Sequence, residues 1–272
     1  MALPTPAPDR TALVTGASSG IGVELARELA RRGHGLTLVA RREAELRTLA
    51  DELATAHGVR TEVVTADLAA PDSRVGVLDA VAGLGLTIDV LINNAGLSTS
   101  GPVHRSDVEA ELRMVRVDVE AVLELCSRVV PGMVERGRGA ILNVASVAAF
   151  QPLPGQAGYG GAKAFVLAYT DALHAELAGT GVTATSLCPG PVHTGFGEAA
   201  GISQEDGEGA LPKFMWETPE DVAQAGIAGL DRGRSVVIPG AANRVGAYAG
   251  RILPKSLLVP ILARQHPSLR TD

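Results

Sequence analysis

The stretch Thr15-Gly16-Ala17-Ser18-Ser19-Gly20-Ile21-Gly22 decides the fold. It closes a short β-branched run, Ala12–Thr15, and opens an Ala/Leu/Glu/Arg-rich segment, Ile21–Arg32. Glycines let the backbone turn tightly and approach a pyrophosphate, and the N-terminus of the following helix offers free N–H groups to an anion. The spacing is G-x-x-x-G-x-G, not the G-x-G-x-x-G of the commonest dinucleotide fingerprint, and an ordinary strand-to-helix turn could carry it. Its place directly after the first strand favours a phosphate cradle built from Gly16, Ser18, Ser19, Gly20, Ile21 and Gly22.

Outward from this loop the same alternation continues. Further strand-like runs are Leu36–Ala40, Arg60–Thr65, Val90–Asn93, Ala140–Ala145, Val182–Leu187 and Ser235–Ile238. Helix-like segments lie between them near Glu43–His57, Ser73–Leu84, Asp107–Arg136, Ala162–Ala178 and Pro219–Asp231. Continuous apolar strands separated by helices imply a parallel sheet covered on both faces. The expectation is a single-domain α/β fold, a Rossmann-type doubly wound parallel sheet of about seven strands. Residues 1–9 read as a disordered or extended N-terminus and 10–240 as the dinucleotide-binding catalytic domain. Residues 241–272 read as a C-terminal tail, lid or oligomer contact. Pro131 and Gly132 are expected to split Asp107–Arg136 into two helices or to bend it. Gly195–Trp216, Gly-rich and acidic, reads as a mobile loop of the kind that covers a substrate.

Composition narrows the function classes. Of 272 residues 46% are hydrophobic and 20% charged, enough for one large core, and the net charge of −6 argues against a nucleic-acid partner. Cys126 and Cys188 lack metal-ligand spacing and the histidines are scattered, so no metal is expected. The Pro-rich start lacks the basic-then-apolar pattern of a secretory signal, which makes a cytoplasmic location the expectation.

The second strand-like run ends in Ala40-Arg41-Arg42. In a doubly wound fold this end lies beside the adenosine ribose. An Asp there would accept from a ribose 2′-hydroxyl, whereas two guanidinium groups suit a 2′-phosphate, so Arg41 and Arg42 point to NADP(H). The plainer alternative is that they begin a solvated helix.

The fifth run ends at Ser146, and Tyr159 and Lys163 stand at i, i+4 on the next helix, hence on one face. A tyrosine titrates near 10, and a neighbouring ammonium favours the phenolate, which makes proton exchange with an alcohol feasible. Ser146 would hold the substrate oxygen from the other side. A Tyr and a Lys so spaced are common on helix surfaces; the serine at the strand end gives them meaning.

These residues resemble those of the short-chain dehydrogenase/reductase family. The resemblance runs from about Arg10 to Gly240. It includes T-G-x-x-x-G-I-G at 15–22, Asp67-Leu68, Asn93-Asn94-Ala95-Gly96, Ser146 with Tyr159 and Lys163, and Cys188-Pro189-Gly190-Pro191-Val192-His193-Thr194. It implies that Asp67 and Leu68 border the adenine and that Asn94, Ala95 and Gly96 support the cofactor wall. It also implies that Pro189, Gly190, Val192 and Thr194 line the nicotinamide and that Lys163 grips the nicotinamide ribose. Read from the residues alone, Asp67 could cap a helix and Asn93–Gly96 could be only a turn. Family members often carry an asparagine in the helix-four segment that completes a proton relay to the lysine. Here Asp118 falls at that place, a carboxylate near Lys163 or a partner of Arg116.

The resemblance implies interconversion of a carbonyl and a secondary alcohol, with a hydrophobic ketone or keto-ester as expected substrate. Phe150, Leu153, Phe196, Phe214, Met215 and Trp216 are candidate pocket residues, each equally suited to packing. A non-catalytic NADP-binding module and a different chemistry on the same scaffold are the alternatives. A homodimer or homotetramer is implied, through Asp107–Arg136 and Ala162–Ala178. The tail, Arg244–His266, is interrupted by Pro254 and Pro260 and cannot be one straight helix. Packing on the body or a partner subunit is its expected role, and peripheral membrane contact the alternative.

Overall fold

The structure is a computed structural model that describes residues 3–199, 201, 212–265 and 269. Its core is a seven-stranded parallel sheet of strands β1 (Arg10–Thr15), β2 (Leu36–Ala40), β3 (Thr61–Thr65), β4 (Thr87–Asn93), β5 (Gly139–Val144), β6 (Val182–Leu187) and β7 (Val236–Val237). The spatial order is β3-β2-β1-β4-β5-β6-β7. The order reverses between β1 and β4, and the crevice outside their carboxyl ends is where open α/β sheets bind ligands. The glycine loop after β1 and Asn94–Gly96 after β4 flank that crevice.

Alternation along the strands builds two cores. Leu13, Leu91 and Ile141 point to one face with Val77, Leu125 and Val166, and Val14, Ile92 and Leu142 point to the other with Leu25, Leu46 and Ile227. Central strands are therefore buried on both sides, which explains their unbroken apolar runs. Each large aliphatic side chain so buried contributes about 1.5–3 kcal/mol. The first face is covered by α3 (Pro71–Gly83), α5 (Ala121–Glu135) and α6 (Ala157–Glu176), and the second by α1 (Gly20–Arg31), α2 (Glu43–His57) and α7 (Pro219–Asp231). Helix α4 (Val108–Val115) precedes α5 and is capped by Asp107, whose Oδ1 accepts from the N–H groups of Glu109 (2.9 Å) and Ala110 (3.4 Å).

Three sequence expectations shift. The break in Asp107–Arg136 falls at a π-helical turn, Arg116–Glu120, while Pro131 lies inside α5. Tertiary packing of α5 overrides the proline there. Helix α6 starts at Ala157, before Ala162, although Gly158 and Gly160 in its first turn are poor helix formers; their lack of a side chain permits close contact with Glu111, Met114 and Leu153. The tail forms two helices, α8 (Ala241–Ile252) and α9 (Lys255–Gln265), parted at Leu253-Pro254, with Pro260 inside α9. Of Gly195–Trp216, residues 200 and 202–211 lie outside the described residues; a helical turn at Phe196–Ala199 and a 3-10 turn at Lys213–Met215 bound them. At the other end residues 3–7 run without helix or strand and are tied down, Leu3 N–H donating to Asp231 Oδ1 at 2.7 Å and Arg138 Nη2 to the Thr5 carbonyl at 2.8 Å. No helix among the described residues is long and apolar enough to cross a membrane.

Candidate active site

The glycine loop is held from behind by polar bonds. Thr15 Oγ1 accepts from the N–H groups of Asn94 and Ala95, both at 3.0 Å, and donates to the Ile92 carbonyl at 3.2 Å. Asn94 Nδ2 donates to the carbonyls of Thr15 (3.0 Å) and Gly16 (3.3 Å). Gly16 has φ +66°, and a Cβ there would stand 2.8 Å from the Ala95 Cα. A Cβ on Gly22 would overlap the Gly16 carbonyl oxygen. The loop thus lies flat against Asn94–Ala95, and the start of α1 faces the crevice. Ser19 occupies the N-cap without a side-chain bond, leaving the first-turn N–H groups to a ligand. Ile21 packs its side chain into the second core.

Beyond β2, Arg42 reaches back to the same loop, its Nη2 donating to Ser18 Oγ at 3.0 Å and to the Ser18 carbonyl at 3.1 Å. Arg41 is exposed and makes no hydrogen bond or ion pair among the described residues. Asp67 neither caps a helix nor stands alone. Its Oδ1 accepts from Ala69 N–H (3.1 Å) and its Oδ2 from Arg113 Nη2 (2.6 Å). Burial pushes its carboxyl up, but these bonds and the nearby Arg41 hold it below the usual aspartate range. Leu68 is buried.

At the mouth of the crevice Ser146 follows β5 and Tyr159 stands in the first turn of α6. Ser146 Oγ accepts from Ala148 N–H at 3.1 Å and donates to the Pro189 carbonyl at 3.5 Å, and it lies near enough to the Tyr159 hydroxyl to favour the phenolate. Lys163 is buried one turn behind, Nζ 5.7 Å from the Tyr159 ring centroid, donating to the Val144 carbonyl at 3.1 Å. Asp118 is fully buried, its Oδ2 2.9 Å from Lys163 Nζ and its Oδ1 accepting from Leu97 N–H at 2.7 Å. The contact with Lys163 is an ion pair rather than a well-aligned hydrogen bond, since Oδ2 lacks hydrogen-bonding geometry to any described donor. Asp118 therefore meets Lys163, not Arg116.

The electrostatics correct one expectation. Burial lifts the Tyr159 phenol above its ordinary value; Lys163 and Ser146 oppose the rise and Asp118 adds to it, so the net shift is upward. Burial likewise pulls the Lys163 ammonium down, but Asp118 and Tyr159 outweigh it and the lysine titrates above its usual value. Asp118 itself is raised by burial against the pull of Lys163 and Leu97.

The loop after β6 closes the crevice opposite the glycines. The Pro189 carbonyl accepts from Val147 N–H at 2.9 Å, Val192 forms a bridge with Glu217, and a Cβ on Gly20 would lie 3.1 Å from Thr194 Cγ2. Gly190 lies so close to the Asn243 side-chain amide that no larger residue fits. The pocket candidates divide. Phe196 lies 5.9 Å from the Tyr159 ring, Phe150 is buried against Tyr248 and Trp216 stacks on His193 at 4.6 Å. Leu153 packs on Gly160, whereas Phe214 is exposed.

The model of short chain dehydrogenases matches residues 10–204, more than half of the chain. The protein belongs to the short-chain dehydrogenase family. Among its relatives, a very-long-chain 3-oxoacyl-CoA reductase of Anas platyrhynchos is 34% identical over 267 residues, 95% of this chain and 80% of that one. Two solved structures are similar over nearly the whole chain. A short-chain dehydrogenase from Sphingobium yanoikuyae in complex with NADPH has TM-score 0.79 and 35% identity, covering 92% of this chain and 95% of that one. The bulky-bulky ketone specific alcohol dehydrogenase from Comamonas testosteroni has TM-score 0.73 and 29% identity, covering 96% and 94%.

This dehydrogenase also uses residues that its sequence did not single out. Arg74, buried on α3, donates through Nε to the Leu68 carbonyl at 2.7 Å and through Nη2 to the Arg116 carbonyl and Glu120, both at 3.0 Å. Its Nη1 donates to Glu124 at 3.1 Å. It joins the Asp67–Leu68 loop to the π turn that carries Asp118. Asn243 joins Gly190 to the segment before α7, its Nδ2 donating to the Met215 carbonyl at 3.0 Å. Asn93, quoted as a turn residue, points inward: its Nδ2 donates to Asn143 Oδ1 at 2.8 Å, and Asn143 Nδ2 donates to Thr170 Oγ1 at 2.9 Å, tying strand ends to α6. A lone Arg or Asn inside a helix gives no sequence signal for such long-range bonds.

Proposed function

We propose that this dehydrogenase is an NADP(H)-dependent carbonyl reductase whose substrate is a hydrophobic ketone or keto-ester, a 3-oxoacyl thioester among the candidates. The observation that carries this reading is the Ser146–Tyr159 hydroxyl pair, backed by buried Lys163 and opening beside the glycine loop. The cofactor fits the residues present: Gly16 and Gly22 leave a cradle that a Cβ would fill, and the N-terminus of α1 faces it. Residues Gly16–Gly22 would hold the pyrophosphate, Arg41 and Arg42 the 2′-phosphate, and Asp67 and Leu68 the adenine. Lys163 would hold the nicotinamide ribose, with Asn94–Gly96, Pro189, Gly190, Val192 and Thr194 as the remaining walls. When bound, the nicotinamide supplies the hydride.

The chain's own residues then manage one proton and one developing charge. Ser146 Oγ–H and Tyr159 Oη–H would both donate to the substrate's carbonyl oxygen, and Tyr159 would release its proton to that oxygen as negative charge builds there. A phenol held above its ordinary pKa is protonated at neutral pH, the form that reduction requires. The Lys163 ammonium offsets the phenolate left behind. Asp118 positions that ammonium, in place of the asparagine common in the family. Phe196, 5.9 Å from the Tyr159 ring, gives the space beside the phenol an apolar side suited to a hydrophobic chain. The names of the 3-oxoacyl-CoA reductase and the bulky ketone dehydrogenase support the same class.

The test is NADPH oxidation across a panel of ketones, keto-esters and 3-oxoacyl thioesters, with Tyr159→Phe as control. Turnover lost by roughly 100- to 10,000-fold in the variant is expected. Tight NADPH binding without turnover of any carbonyl would overturn the reading in favour of a binding module.

A further inference from the structure

The last part of the chain differs in charge from the rest. Between Arg232 and Thr271 there is no Asp or Glu, while Arg232, Arg234, Arg244, Arg251, Lys255, Arg264 and Arg270 all fall there, in a chain of net charge −6. Helices α8 and α9 occupy this stretch. Helix α8 turns Asn243, Ala247 and Gly250 inward, packing Tyr248 against Phe150 at 6.0 Å. Its outward face shows Val245 (71% exposed) and Ile252 (81%), and α9 continues it with Leu257 (65%) and Ile261 (53%). Arg244, Arg251, Lys255 and Arg264 are exposed around these apolar residues. Of the four, Arg251 is partly offset by Asp171 of α6.

We infer that this face docks on an anionic lipid bilayer. Two features select that occupant. Apolar residues ringed by basic ones match the boundary between acyl chains and anionic headgroups, where both gain. A second copy meeting the same face through a twofold axis would set basic residues against basic residues, with no carboxylate on α8 or α9 to offset them. The face lies beside the Val147–Phe150 turn that follows Ser146, so docking sets the candidate active site close to the membrane surface.

Full-length protein is sedimented with vesicles of equimolar phosphatidylglycerol and phosphatidylcholine, and with phosphatidylcholine alone. Binding is expected to the first and to be lost in high salt. Lys255→Gln/Arg264→Gln is expected to bind about twenty-fivefold more weakly, at roughly fivefold per basic charge removed. Ile252→Asp/Leu257→Asp tests the apolar part, and NADPH binding by each variant reports that it is folded. Equal binding to both vesicle types, no binding to either, or variants that bind as the parent would overturn the inference. So would sedimentation velocity showing a dimer that Ile252→Asp/Leu257→Asp dissolves. Binding is read without turnover, so failure here is distinct from failure of the proposed reaction.

Discussion

Asp118 Oδ2 stands 2.9 Å from Lys163 Nζ, with both side chains sealed from solvent. The pair sets the charge behind Tyr159. Gly96 passes so near that a Cβ there would lie 3.1 Å from Asp118 Oδ2, so the backbone itself helps exclude water. Replacing Asp118 by Asn removes a negative charge that lifts the Tyr159 pKa. The phenol then loses its proton at lower pH, and the basic limb of kcat/KM for ketone reduction moves toward acid. Unchanged pH–rate behaviour would take Asp118 out of the mechanism.

Arg41 and Arg42 are not equivalent. Arg42 is already bonded to Ser18, while Arg41 is unpaired among the described residues. Arg41→Asp is therefore expected to raise KM for NADPH roughly 10- to 100-fold, the worth of one or two charge-assisted bonds, with little effect on NADH. Steady-state kinetics with both cofactors decides it.

The flat seat of the glycine loop predicts a specific loss. Gly16→Ala places a methyl 2.8 Å from the Ala95 Cα at a positive φ, so the loop must lift from Asn94–Ala95. NADPH affinity measured by calorimetry should fall at least about tenfold, since misaligned backbone donors lose charge-assisted bonds to phosphate. Parental affinity would show that the seat is not needed.

Arg74 is a structural hub of the cofactor side. Arg74→Met leaves the buried Leu68 carbonyl without its donor, takes one of two donors from the Arg116 carbonyl, strips Glu120 and Glu124 of their cation, and is expected to cost about 2–4 kcal/mol. Arg74→Lys keeps the charge but not the planar fork, so denaturant unfolding should place it between parent and Met variant. Identical stability of all three would remove the hub.

Glu28 gives a pH signature of stability. It is buried on α1 and accepts from Arg31 at 2.9 Å and Arg32 at 2.7 Å. Burial pushes its carboxyl up, but the two arginines win and hold it below the ordinary value. A depressed carboxylate contributes stability above its unfolded pKa and loses it as pH falls through the folded one. Glu28→Gln should thus cost about 1 kcal/mol at neutral pH and flatten the acid-side fall in Tm. A parallel fall in both proteins would contradict this.

The sequence by itself determined the doubly wound sheet, because central strands buried on both faces must be apolar throughout and helices must be amphipathic. It also determined the glycine loop and the Ser146, Tyr159 and Lys163 set, since a strand-end residue and an i, i+4 pair are local patterns. The position of Asp118 was legible, but its partner was not. The π turn that aims it at Lys163 rests on packing and on Arg74, which comes from another helix. The direction of the Tyr159 shift was likewise invisible, because desolvation depends on everything packed around the phenol, while the sequence shows only the neighbouring ammonium. Pro131 was read as a break and lies within a helix, since packing of α5 outweighs one lost hydrogen bond. Local spacing names the candidate reacting groups; only tertiary contacts set their charge, their partners and the face that α8 and α9 leave exposed.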